Sequence, residues 1–203
     1  MFWIKFGILI IGFIYAGILP YTVYKAIKSV GFDPQQKTLS HISIKGEYGS
    51  KYHRGYTYLM FATAILTYFF FWLLTEIYNL GEFDKIITYI DYSCGSLLIL
   101  AFIPFNLVPY EKGNLWPNIK RIFHNILAVF VFLSLAALII LFNIALCDRY
   151  PLLSIIGFVI ILITAVLLLL YMVKNSITGL SELIFINGLS TWSIFVTIFT
   201  ILK

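Results

Sequence analysis

Apolar residues along this chain come in runs of about twenty, the length that crosses the hydrocarbon core of a bilayer. Polar residues gather between the runs. Six runs are legible: Trp3 to about Tyr24, Tyr56 to about Ile77, Ile87 to about Val108, about Ile119 to Leu146, Leu152 to about Val173, and about Leu180 to Leu202. In lipid only helices and closed barrels satisfy their own backbone. The runs lack the period of two that a barrel strand needs, so the pattern predicts an all-α integral membrane protein. The expected architecture is a bundle of six transmembrane helices forming a single domain over residues 1–203.

Local signals refine these elements. Pro20 is expected to bend the end of the first helix. Pro117 and Pro151 fall in the opening turns of the fourth and fifth, where a missing N–H costs nothing. Tyr24, Tyr56, Tyr110, Trp116 and Tyr171 stand at run ends and read as an interfacial aromatic belt. One connection is long, from Lys25 to Gly55, and a loop of that length in a small bundle is often functional. Within it, Gly31-Phe32-Asp33-Pro34 reads as a turn. The alternation from Leu39 to Ile44 reads as a short strand or an extended lid.

Composition agrees with the pattern. The chain is 61% hydrophobic and 11% charged, against about 25% charged in a soluble domain. The net charge of +5 is spread over the connections and indicates a membrane surface rather than a nucleic acid. The N-terminal run lacks a small-x-small cleavage site and reads as a retained first span. Lys and Arg number ten on the face with the long connection and four on the other. The positive-inside rule would then place that connection in the cytoplasm and both termini outside. Cys94 and Cys147 fall on the face opposite the long loop, either as buried thiols or as a pair.

Chain parity gathers polar residues on one membrane face: Ser40, His41, His53, Arg54, Asn106, Lys120, Arg121, His124, Asn125 and Glu182. Such groups are costly near the membrane, which suggests a shallow pocket at headgroup depth. In that reading His124 is the general acid or base and Glu182 orients it. Arg54, Lys120 and Arg121 hold an anionic phosphate. Ser40, His53, Asn106 and Asn125 complete the ligand-binding set. The competing reading has His124 and Glu182 tying helices together while the basic chains snorkel. No helix carries a His-x-x-x-His or Glu-x-x-His pair, and no two His face each other across the bundle. Neither a metal nor a cofactor is therefore expected.

Four short pieces resemble a known family. They are Phe32-Asp33-Pro34 with Leu39-Ser40, Ile103-Pro104-Phe105-Asn106, Phe123-His124-Asn125, and Gly179-Leu180-Ser181-Glu182. With the span count, they resemble the six-span Frag/DRAM/Sfk superfamily, especially its prokaryotic branch of unsettled activity. Members often have an acid where this chain has Asn106. The resemblance implies lipid handling at one leaflet, with membrane lipids as partners. It also implies termini on the cytoplasmic side, opposite to the charge count. Two other readings stay open. One is a non-enzymatic scaffold that partners another membrane protein; the other is a small-solute or proton-coupled transporter. The expected location is the cell membrane.

Overall fold

The computed structural model describes residues 2–80, 84–103, 115–175 and 177–203, with side chains omitted at Asp84 and at residues 115–118. Six helices are long and apolar enough to span a membrane. They are α1 (Phe2–Val30), α3 (Ser50–Tyr78), α4 (Asp84–Phe102), α5 (Leu115–Leu146), α6 (Pro151–Lys174) and α7 (Gly179–Leu202). A one-turn helix, α2 (Lys45–Tyr48), lies between α1 and α3. No strand occurs among the described residues. The protein is an integral, multi-pass membrane protein.

Each spanning helix packs on its neighbour in sequence, and α7 closes back onto α1, so the bundle is a ring. Close approach within the ring relies on small residues meeting polar ones. A Cβ on Gly12, Gly157 or Gly188 would collide with Thr197, Asn143 or Thr164, respectively. This is how membrane helices associate where lipid supplies no hydrophobic drive.

The half of the ring far from the long connection is filled by aromatic rings. Trp192 stacks on Phe71 at 5.5 Å and meets Phe142 edge-on at 5.5 Å. Phe142 meets Tyr78 at 5.9 Å, and Tyr78 meets Tyr150 at 5.2 Å. Trp192 and Phe142 are buried, so this layer closes the centre of the bundle at that end.

Helix α1 is longer than the apolar run that announced it. It continues through Lys25 and Lys28 to Val30, where Gly31 ends it in the left-handed conformation (φ 60°). Ahead of Pro20, residues Ile14–Ile18 widen into a π turn. Proline lacks an N–H and crowds the preceding turn, and one wide turn absorbs both defects. The irregularity associated with Pro20 thus takes the form of a π turn just ahead of it.

The long connection is shorter than the sequence suggested, because α1 and α3 take residues from both of its ends. It runs from Gly31 to Gly49, and its two terminal glycines both have positive φ (60° and 85°). Asp33 Oδ1 accepts the Gln35 N–H at 2.9 Å and fixes the first turn. Leu39–Ser43 is a 3-10 helix rather than a strand. His41 N–H donates to Thr38 O and Ile44 N–H to His41 O, both at 3.0 Å. Ile42 and Ser43 are buried beneath this turn. The segment covers the ring as a lid, but a helical one rather than the extended lid that the alternation suggested. Cys94 is buried and Cys147 exposed, and both are free thiols.

Candidate functional site

The lid is fixed to the start of α7. A helix N-terminus leaves its first N–H groups without partners inside the helix. Here the lid supplies them: Gly179 N–H donates to Lys37 O and Leu180 N–H to Pro34 O, both at 2.8 Å. Thr178 and Ser181 close the end with a reciprocal capping box. The bond then reverses direction, with Leu39 N–H donating to Glu182 Oε2 at 2.6 Å. A carboxylate in the first turn also suits the positive end of the helix dipole. Glu182 is thus a latch between α7 and the lid.

A cavity of about 150 Å³ lies beneath the lid. Ser40, His124 and Glu182 line it, so three residues singled out in the sequence converge there. Tyr15, Tyr56, Thr63 and Ser190 add further polar side chains to the lining. Deeper walls are apolar: Met60, Leu97, Val131, Phe132, Leu135, Phe185 and Leu189. From His124 to Leu135 the lining extends about 16 Å along α5, by the helical rise of 1.5 Å per residue. The cavity has Ser40, His124 and Glu182 under the lid and mainly apolar walls below, interrupted by the hydroxyls of Tyr15, Thr63 and Ser190, and it stops short of the buried Trp192 layer.

His124 is 2% exposed, and its Nδ1–H donates to Ile103 O at 2.6 Å, just past the end of α4. A carbonyl only accepts, so the neutral ring carries its proton on Nδ1 and Nε2 is its acceptor. His124 therefore ties α5 to the end of α4 while forming part of the cavity wall.

The other candidates are placed differently. His53 Nδ1–H donates to Ser43 O at 2.8 Å, and so props the lid from the first turn of α3. Arg54, Lys120, Arg121 and Asn125 are exposed and do not belong to the cavity lining. Burial, and to a smaller degree the charges of Lys37 and Arg121, oppose protonation of His41 in the lid. Asn106 falls outside the described residues, as do Tyr110 of the expected belt and most of the second family-like piece, Ile103 excepted.

The lid has its own internal tie. Lys37 forms an ion pair with Glu47 and lies 5.8 Å from the centre of the Tyr48 ring. The pair pushes the Lys37 ammonium above its ordinary value and the Glu47 carboxyl below its own. Burial lowers the His41 imidazole, partly offset by its bond with Thr38.

Four lining residues escaped the sequence reading. Tyr56 looked like part of the aromatic belt but lines the cavity. Tyr15 sits in the π turn of α1 and shares the cavity face with Leu19 and Val23; inside an apolar run it gave no polar signal. Thr63 and Ser190 are small hydroxyls inside apolar runs and give little signal by themselves. No family model matches the chain, and no curated protein or solved structure matches it.

Proposed function

We propose that this protein handles a lipid at one leaflet of the cell membrane, by taking part of it into the cavity beneath the lid. The observation that carries this reading is the uneven lining: Ser40, His124 and Glu182 at the lid end, and below them a mainly apolar wall of Met60, Val131, Phe132 and Leu189 in which the polar groups are the hydroxyls of Tyr15, Thr63 and Ser190. A lipid is uneven in the same sense, with a polar head at the interface and a chain reaching inward. Binding pockets generally combine an apolar wall with a few placed polar groups.

Size narrows the reading. A cavity of about 150 Å³ lined by apolar side chains accepts a benzene. The cavity here therefore has room for one stretch of chain and its adjoining polar group, and the rest of the lipid stays outside. Lifting of the lid would widen the way in. Its two ends, Gly31 and Gly49, are the positions that absorb backbone rotation at least cost. The Glu182–Leu39 bond sets how readily the lid lifts.

A scaffold role is favoured by one specific observation: His124 and Glu182 each make a structural tie, to Ile103 and Leu39. The two readings separate by experiment. Native mass spectrometry of the purified protein is expected to retain a lipid in the wild type and to lose it in Ala128→Trp, which fills the cavity from α5. Loss of no lipid in that variant, and none in the His124→Gln, Glu182→Gln double variant, would leave only the scaffold.

A further inference from the structure

A second recess lies between α3 and α4, near the membrane face opposite the lid. Its volume is about 290 Å³, and it is lined by Tyr68, Trp72, Thr75, Glu76, Asn79, Ile87, Ile90 and Asp91. The α3 positions 68, 72, 75, 76 and 79 form one stripe at helical spacing, and 87, 90 and 91 form the facing stripe on α4. Glu76 stands about 3 Å from the end of α3, and Asp91 about 10 Å into α4, by the helical rise. Both carboxylates thus fall between headgroup and upper-chain depth. Tyr68 lies about 16 Å below Asn79 by the same rise, so the recess continues into the hydrocarbon layer.

An exposed carboxylate at Asp91's depth is costly unless a cation accompanies it. Among the described residues, neither the Glu76 nor the Asp91 carboxylate has an ion-pair or hydrogen-bond partner in the protein. Two indole and phenol rings, Trp72 and Tyr68, stand in the same recess at 45% and 41% exposure. Aromatic faces attract cations, and most strongly organic ammonium groups. Two carboxylates beside two aromatic rings make a recess complementary to an ammonium, and its inner end is complementary to an acyl chain.

We propose that this recess binds a phospholipid whose headgroup ends in an ammonium, of the ethanolamine or choline type, from the leaflet opposite the lid. Glu76 and Asp91 supply the counter-charge, Trp72 the ring face, and Tyr68 the wall along the chain. The site is separate from the cavity beneath the lid and does not depend on what that cavity holds.

The test uses the full chain in nanodiscs made of equal parts phosphatidylethanolamine and phosphatidylglycerol, with retained lipids counted by native mass spectrometry. The wild type is expected to retain phosphatidylethanolamine in preference. Glu76→Gln with Asp91→Asn is expected to reduce that preference about five-fold, the scale of a cation–aromatic or exposed ion-pair contact. Both side chains are exposed, so the fold survives these changes. Trp72→Leu, which keeps the carboxylates, is expected to reduce it in the same direction. Glu182→Gln, at the other site, is expected to leave it unchanged. An unaltered preference in the double variant overturns the proposal. So does a recess that takes tetramethylammonium from solution while showing no preference between the two phospholipids.

Discussion

The side-chain carboxylate of Glu182 accepts the backbone N–H of Leu39 at 2.6 Å, joining two residues 143 positions apart. That bond holds a polar lid over the mouth of an otherwise apolar ring of helices. Replacing Glu182 with Ala removes a hydrogen bond worth about 1–3 kcal/mol and leaves the Leu39 N–H without its partner. Hydrogen exchange at residues 31–49 is expected to accelerate in Glu182→Ala. The effect is expected to be smaller in Glu182→Gln, which keeps an acceptor oxygen, while exchange in α6 stays as in the wild type.

Gly179 gives an independent handle on the same contact. A Cβ there would lie 2.8 Å from Lys37 O and 3.2 Å from the Pro34 Cα, both backbone atoms that cannot swing aside. Gly179→Ala is therefore expected to destabilise the folded protein by about 1–3 kcal/mol, as overpacking does. Gly95, within α4, has open space where a Cβ would go. Gly95→Ala is expected to stabilise by about 0.5–1 kcal/mol, because alanine loses less backbone freedom in a helix. Thermal unfolding in one detergent, comparing both variants with the wild type, reads the opposite signs directly.

His124 ties the end of α4 to α5 through Ile103 O. His124→Ala opens a void in a buried wall and removes the donor. A loss of about 2–4 kcal/mol is expected, measured as a lower unfolding midpoint. A midpoint equal to the wild type's would mean that this tie contributes nothing to the bundle.

The lid should loosen in acid. The lid's His41 has a lowered pKa, caused first by burial, so the closed lid favours the neutral ring. Its contribution is fully present above the ordinary histidine value of about 6.5. It is lost as pH falls through the lowered value. The Glu47 carboxyl is held down by Lys37, so its contribution is present above the ordinary carboxyl value and lost at still lower pH. Limited proteolysis between Phe32 and Tyr48 is expected to accelerate below about pH 6, after correction for the protease's own pH profile. His41→Asn is expected to flatten the first part of that dependence.

The six spans were legible because twenty consecutive apolar residues admit few other structures in water or lipid. Their ends were less so. Lys25 and Lys28 look like loop residues, but α1 carries them past the hydrocarbon layer to Val30. The Leu39–Ile44 alternation has the period of a strand, yet six residues with no partner strand cannot hold an extended form. Bonds from His41 to Thr38 and from Ile44 to His41 curl it into a 3-10 turn. For the site, parity alone put Ser40, His124 and Glu182 on one face, and those three meet in one cavity. Parity says nothing about which side of a helix faces inward. Arg54, Lys120 and Arg121 share the face but are exposed and do not line the cavity, whereas Tyr15, from the middle of an apolar run, does.

The most direct test of lipid entry is photo-crosslinking with a phospholipid carrying a diazirine midway along one acyl chain, followed by mapping of the labelled peptides. Labelling at Met60, Phe132 and Phe185 in the wild type, lost in Ala128→Trp, is the predicted result. Labelling confined to outward-facing residues such as Leu162 and Leu169, and unchanged in Ala128→Trp, would contradict it.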